Sequence, residues 1–490
     1  LVLPTLLALA WRDYVDATAL TVLFTVLELV GFCLIPVVVL RTREPLAAVA
    51  WILGIILVPG LGGVLYLLLG TTRLARKTRR KKLARVTLEP QLPTVETFEL
   101  APPPDTDTLR SELMALACRI AENRPTWGNE VEVITDTNRA YGLQEQAIGD
   151  ARHHIHLEYY IFQPDETGQR FRDLLIEKAR QGVTVRFLYD AVGSLRLTRR
   201  FLRPIWQAGI QAECFLPVNP LRRRWVFNLR NHRKLLVVDG DVGFTGGVNV
   251  GNEYIGRKSQ FAYWRDTHMM LRGPAVHQLQ QVFAQDWHFA TDEELTAPDL
   301  FPTPRAVGDQ IAQIIASGPD QPVEVVHELF FTAIAAARQR VLIESCYFVP
   351  PDSIRVALES AAHRGVDVEV ILPARNAHIA TLLAAQSYYE DMLSAGVQIH
   401  EYTEGLMHSK MITVDGEWSY VGSANMDNRS LRLNFEVGAV FYGPRMAAGL
   451  ESVFAADLAR SRRLDLDQWS RRPVTRRFME NTCRLLSPML

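Results

Sequence analysis

The chain has 490 residues, enough for more than one domain or for two internal halves that each bury a core. Its 53 basic and 54 acidic side chains nearly cancel, so bulk charge singles out no partner, but apolar and basic residues crowd the N-terminus. The five cysteines (Cys33, Cys118, Cys214, Cys346 and Cys483) are far apart and form no C-x-x-C pair. That argues against a zinc site or a disulfide framework and fits a reducing compartment.

In chain order, Leu1–Trp11 is apolar but too short to span a bilayer alone. Thr18–Leu40 is long enough to span one as a helix, interrupted by Glu28 and Pro36. A tight break over Arg41–Pro45 leads into Leu46–Gly70, which holds no charged residue. Two apolar spans, 18–40 and 46–70, joined by so short a turn predict a helical hairpin. A signal peptide does not fit, because it has one short apolar core and a small-residue cleavage site. Arg73, Arg76, Lys77, Arg79, Arg80, Lys81, Lys82 and Arg85 follow with no acid among them. Basic residues flanking a span stay on the cytoplasmic side, so the large C-terminal part is expected there, with anionic lipid headgroups as partners of the basic cluster.

Composition then shifts to Pro, Thr and Glu from Val86 to Pro104, predicting an extended spacer, and Thr108–Asn123 has helical apolar spacing. The remainder is duplicated. IHLEYYIF at Ile155–Phe162 answers VLIESCYFV at Val341–Val349, and GVTVRFLYD from Gly182 answers GVDVEVILP from Gly365. Each copy reads strand, helix, strand, helix, then a strand–turn–strand pair, which predicts an α/β sandwich with a mixed sheet in each half. The expected organisation is a membrane hairpin with its basic flank (1–85), a linker and helix (86–123), a first half (124–305) and a second half (306–490).

The repeat ends in a motif that carries chemistry. His232-x-Lys234-x4-Asp239 is followed by Gly246-Gly247-x-Asn249, and His408-x-Lys410-x4-Asp415 by Gly422-Ser423-x-Asn425, with identical spacing. One H-x-K is a chance event; two inside a longer repeat are not. Residues i and i+2 of a strand share a face, so each His projects beside its Lys. Two imidazoles, two ammonium groups and the amides of Asn249 and Asn425 suit a phosphodiester. The cations and amides would stabilise charge on the equatorial oxygens, while one His attacks phosphorus and the other protonates the leaving alkoxide. Asp239 and Asp415 precede glycines at the far end of the strand. They read either as turn-fixing acids or as direct participants, the first being favoured. Each His needs an acceptor at its other ring nitrogen, for which Asp266 and Glu436 are candidates; Glu158 and Glu344, inside apolar strands, need buried partners. His153, His154 and His156 lack the acids or cysteines a metal site requires and read as structural; no metal or cofactor is expected.

Together these motifs resemble the phospholipase D superfamily. The hairpin with REPLAAVAWIL, then HLEYYIF, GGVNVGNEY, WRDTH, YFVPP and GSANMDNRSLRLNFE narrow the resemblance to the bacterial cardiolipin synthases over nearly the whole chain. The resemblance implies a duplicated phospholipase D-like α/β sandwich. It also implies a two-step transfer in which one phosphatidylglycerol gives its phosphatidyl group to a histidine, releasing glycerol, and a second accepts it to form cardiolipin. It assigns activity to His232, Lys234, Asp239, His408, Lys410 and Asp415; the preference for His232 as nucleophile comes from the residue chemistry above. It further implies a multi-pass protein of the bacterial inner membrane and a homodimer.

Two competing readings are a membrane-bound phospholipase D that uses water as acceptor, and a phosphodiester nuclease of the same fold. The spans and the balanced charge speak against nucleic acid as a partner. Arg222–Phe227 mixes cations with aromatics as an interfacial loop would. Arg471–Leu490 is basic and apolar, and fits either a membrane-surface helix or a segment docked on the catalytic region.

Overall fold

The computed structural model describes residues 17–42, 45–58, 60–69, 74–101, 108–217, 229–257, 260–261, 263–485 and 487. The Leu1–Trp11 segment and the Arg222–Phe227 loop lie outside them. Contacts divide the chain into two units, residues 1–81 with 218–229, and residues 82–217 with 230–490.

In the first unit, the helix Ala17–Arg41 packs against two shorter ones, Pro45–Leu57 and Leu61–Leu69. Val38, Ile55 and Tyr66 are buried between them. Among the described residues, only the first helix is long and apolar enough to cross a membrane, with mean hydropathy 2.6 over Thr21–Arg41. The predicted second span is therefore two helices rather than one. Gly60 turns between them at φ +78°. Close approach is allowed by small residues: a Cβ on Gly63 would lie 3.3 Å from the Gly31 Cα. Glu28 is exposed on the first helix.

The stretch predicted as a spacer is partly packed. Leu88, Leu92 and Val95 are buried, and Gln281 donates to the Pro93 carbonyl at 2.7 Å. Apolar side chains spaced along it find a surface to cover, which a Pro-rich composition alone does not reveal.

The second unit is built on the repeat. Its first half contributes β1 (Thr126–Ile134), β2 (His154–Tyr159), β3 (Thr184–Tyr189), β4 (Gln211–Cys214), β5 (Lys234–Val238), β6 (Val242–Gly246), β7 (Trp264–Arg265) and β8 (His268–Arg272). The second half opens with β9 (Gln310–Ser317), β10 (Arg340–Ser345), β11 (Phe348–Val349), β12 (Asp367–Pro373), β13 (Gln398–Tyr402) and β14 (Leu406–Met407). It continues through β15 (Lys410–Val414), β16 (Trp418–Gly422), β17 (Met426–Asp427), β18 (Glu436–Tyr442) and β19 (Ser461–Arg463).

Spatial order in the first half is β1-β8-β6-β5-β2-β3-β4; in the second it is β9-β18-β16-β15-β10-β12-β13. These are the same arrangement, position for position. The two do not remain separate sheets: β1 pairs antiparallel with β9 and joins them into one 15-stranded sheet, with β19 on the β13 edge. Register repeats as well, since Tyr159 faces Lys234 and Ser345 faces Lys410. The strands β5 and β15 have neighbours on both sides and are buried throughout, which is why LLVV and MITV are apolar without alternation. Each half has its own core; that of the second also takes in Leu109, Leu113 and Ala117 from the helix Leu109–Ile120.

The hairpins after β5 and β15 turn on Asp239-Gly240 (φ 52° and 69°) and Asp415-Gly416 (φ 52° and 67°). Asp-Gly is a favoured pair where both central residues need positive φ.

Candidate active site

The motifs lie at the start of β5 and β15, where both His232 and His408 open onto one cavity of about 640 Å³. Short parallel bridges between the halves set their surroundings. Asn231 bridges Phe435, with His232 N–H donating to the Phe435 carbonyl at 2.9 Å. On the other side β14 runs parallel to β7, and His408 N–H donates to the Arg265 carbonyl at 2.7 Å. One residue further along each bridge, each histidine meets an acid of the opposite half. His232 Nδ1 donates to Glu436 at 2.9 Å, and His408 Nδ1 donates to Asp266 at 2.5 Å.

Both carboxylates are fully buried, yet both are held below the usual range. Burial alone would raise them. The charges and hydrogen bonds of His408 and Lys410 outweigh it at Asp266, and those of His232 and Lys234 do so at Glu436. Burial draws His232 and His408 down to about 4, helped by the neighbouring lysines and opposed by the acids. Each imidazole holds a proton at Nδ1 against its carboxylate. With the proton on Nδ1, Nε2 carries a lone pair.

The two dyads differ in their support. Glu436 also accepts from Ser423 Oγ at 2.5 Å and from Asn434 Nδ2 at 3.3 Å. Asp266 accepts from the Thr267 amide at 2.8 Å, and the position equivalent to Ser423 is Gly247, where a Cβ would collide with the Asp266 carboxylate. Lys410 Nζ lies 3.1 Å from His408 Nδ1 and bonds the His408 carbonyl; Lys234 Nζ donates to the His232 carbonyl at 2.5 Å. Burial lowers Lys234 to about 7.

Asp239 and Asp415 are absent from the cavity lining. The Asp239 carboxylate accepts the amides of Arg152, His153 and His154 at 2.8–2.9 Å, and Asp415 those of Arg338, Gln339 and Arg340 at 2.8 Å. Asn249 and Asn425 both line the cavity. The Asn249 amide is spent: its Nδ2 donates to Tyr254 Oη at 2.9 Å and its Oδ1 accepts from the Ile161 amide at 3.0 Å. Asn425 Oδ1 is buried with no hydrogen-bond partner.

Glu158 and Glu344 find partners outside the cavity. Glu158 accepts from Asn231 and faces the Arg233–Asp286 ion pair; burial, then the Asp286 charge, raise its carboxyl well above the usual range. Glu344 lies 3.7 Å from Arg265, which pairs with Asp457 at 2.6 Å, and burial lifts it to about 7. The two arginines come from different repeat positions. Arg233 stands where the second half has Ser409, and Arg265 where it has Phe435. His156 stacks on Phe283 at 4.6 Å and bonds Gln280.

Several cavity residues lie in the quoted segments, where the sequence assigned them no role. Tyr160 meets His232 edge-on at 4.8 Å and receives the Lys234 ammonium at 5.4 Å; Trp264 and Tyr254 flank His408 at 5.3 and 5.9 Å. Tyr347, Asp427 and Arg429 complete much of the wall. Tyr160 and Tyr347 follow β2 and β10, so their position just beyond repeated strands was the available signal.

Residues 145–287 and 330–458 match the family described as "Cardiolipin synthase, PLD-like domain", and residues 29–70 match "Phospholipase_D-nuclease N-terminal". A cardiolipin synthase of Geobacillus kaustophilus is 40% identical over 96% of this chain and 94% of its own length. The chain belongs to the bacterial cardiolipin synthases of the phospholipase D superfamily. As a member of that family it is a phosphatidyltransferase. A major cardiolipin synthase of Bacillus subtilis is 39% identical over 91% of this chain and 94% of its own. The fold likeness extends to a phosphatidylserine synthase of Haemophilus influenzae, at TM-score 0.58 and 14% identity over 78% of this chain and 100% of that one.

Proposed function

We propose that this cardiolipin synthase moves a phosphatidyl group from one phosphatidylglycerol to another through a phosphohistidine. The observation that carries the reading is the shared cavity. Two imidazoles line it, each pinned at Nδ1 by a carboxylate of the other half, and behind each a lysine outside the lining bonds that histidine's carbonyl.

In the first step His408, protonated at Nε2 from solvent as the anionic phosphodiester binds, gives that proton to the glycerol headgroup oxygen while His232 Nε2 attacks phosphorus and the bond from phosphorus to that oxygen breaks. In the second, His408 removes the proton from a hydroxyl of the incoming phosphatidylglycerol, whose oxygen displaces His232 from phosphorus. The arriving phosphodiester is anionic and so restores the proton affinity that burial takes from His408. Assigning attack to His232 follows from the firmer hold on Glu436, since three side chains fix that carboxylate and preorganise the ring. His408 shares its Nδ1 surroundings with Asp266 and Lys410, which suits a group that cycles its proton.

Lys234, Lys410 and the uncommitted amide of Asn425 neutralise and orient the phosphate oxygens. Asp239 and Asp415 act at a distance, fixing the strand that carries each His/Lys pair, and Asn249 shapes the wall through Tyr254. The aromatic lining keeps water from the phosphohistidine, which would otherwise hydrolyse to phosphatidic acid. The apolar N-terminal segment anchors the enzyme as a hairpin, with its basic flank and catalytic region on the cytoplasmic side.

The test is product analysis by mass spectrometry from phosphatidylglycerol liposomes in EDTA, beside His232→Ala and His408→Ala. Cardiolipin and glycerol, lost in both variants, are expected. Phosphatidic acid alone would make water the acceptor, and activity that returns only with added metal would overturn the two-histidine chemistry.

A further inference from the structure

The C-terminal helix Val474–Arg484 lies against the helix Ile379–Gln386. Its docked face is polar and satisfied. Glu480 is fully buried and takes Arg472 at 2.8 Å and Arg476 at 3.1 Å, while Arg472 also reaches Glu390 at 2.6 Å. Just beyond the helix, the Ser487 hydroxyl lies 3.2 Å from Tyr388 Oη.

The other face is apolar and uncovered. Val474 is 79% exposed, Phe478 72% and Leu485 79%. They are four and eleven residues apart, about one and about three helical turns, and so form one stripe. Beside it Arg471, Arg477 and Arg484 are exposed, whereas Arg472 and Arg476 hold Glu480 on the docked face. The supporting helix begins at the cavity, whose wall includes His378 and Thr381, and Ile379 between them is 64% exposed. Apolar side chains directed away from the protein and rimmed by guanidinium groups match a surface that is anionic at headgroup depth and apolar just below it.

We propose that Val474, Phe478 and Leu485 enter the outer part of an anionic bilayer, with the flanking arginines on lipid phosphates. This seats the cavity-lining helix at the lipid surface. The site therefore receives phospholipid sideways from the membrane, a role that deepens and rests on the lipid-transfer reading, whereas the bilayer contact itself does not depend on it. Polar docking on one face and apolar exposure on the other reconcile the two expectations for this segment.

The test uses the full chain in proteoliposomes, where the N-terminal anchor retains every variant. A benzophenone amino acid replaces Phe478, with the same replacement at exposed Val307 as control. Irradiation is expected to give phospholipid adducts at 478, several-fold more with phosphatidylglycerol present than in phosphatidylcholine alone, and few at 307. Adducts to a second copy of the chain, or equal lipid labelling at both positions, would overturn the proposal. In a second arm, Phe478→Glu is expected to raise KM for bilayer phosphatidylglycerol by about tenfold, a loss of about 1.4 kcal/mol, with kcat unchanged. A soluble short-chain analogue should show no change. Equal loss on both substrates would place the helix in support of the cavity instead. If neither lipid yields cardiolipin but adducts form at 478, the transfer reading fails and the bilayer contact stands.

Discussion

His232 and Glu436 are 204 residues apart in sequence and 2.9 Å apart in the fold, each contributed by a different half of the duplication. His408 and Asp266 repeat the relationship in the opposite direction. The parallel bridges just before each pair bring this about, by aligning the backbone of one half's motif with the acid-bearing strand of the other. Neither half holds a complete His–carboxylate dyad, so the active unit is the joined pair.

Removing the Glu436 charge while keeping its shape tests that relationship. Glu436→Gln should lower kcat by about 10²–10⁴-fold, because the ring loses both its orientation and the stabilisation of its protonated form. Asp266→Asn should do the same. Thermal unfolding close to that of the parent must accompany the loss; full activity in either variant would show that the carboxylate only packs.

The label from a rapidly quenched turnover with phosphorus-labelled phosphatidylglycerol should map to the peptide containing His232. Finding it on His408 would exchange the two roles without altering the rest of the mechanism.

Asp239→Asn and Asp415→Asn should act on stability more than on chemistry. Each carboxylate accepts three backbone amides, and losing its charge should cost about 1–3 kcal/mol. A lowered melting temperature with near-parental kcat per folded molecule is expected. A folded but inactive variant would return the acids to the chemistry.

The alkaline limb of kcat/KM, which reports groups of the free enzyme, should fall near pH 7. Burial holds the Lys234 ammonium at about 7, so raising pH through that value removes positive charge from the phosphate site. His232, held at about 4, keeps its attacking lone pair on the acid side well below the ordinary imidazole range. Lys234→Arg should carry the alkaline limb upward at reduced rate; an unmoved limb would assign it to another group.

The duplication is unequal at its buried ion pairs, and the inequality is measurable. Arg233→Ala takes the guanidinium from buried Asp286 and should destabilise by about 3–5 kcal/mol, whereas Ser409→Ala at the matching position loses hydroxyl contacts with Thr267 and Glu344, about 1–2 kcal/mol. Similar shifts in denaturation for the two variants would contradict this account.

The repeat made most of the fold legible. Matching segments around Glu158 and Glu344, and around the two H-x-K motifs, gave the strand and helix order of each half. Apolar runs such as LLVV and MITV marked strands buried on both faces. The anchor was less legible, because apolar composition reports length without reporting where a turn at Gly60 divides a helix. The packed stretch around Leu92 and Val95 was read as a spacer, since sparse apolar residues disclose their burial only when a partner surface exists.

At the site, the sequence by itself singled out the candidate groups: two histidines and two lysines at spacings that local strand geometry fixes, with two acids at strand-end turns. Which acid serves which histidine was decided by tertiary structure alone. The pairing of β1 with β9 and the bridges at Phe435 and Arg265 are contacts between distant segments, and no local periodicity encodes them. For the same reason the sequence named Asp266, Glu436, Glu158 and Glu344 as acids in need of partners, and only the assembled fold sorted them into two that orient imidazoles and two that are buried with arginines.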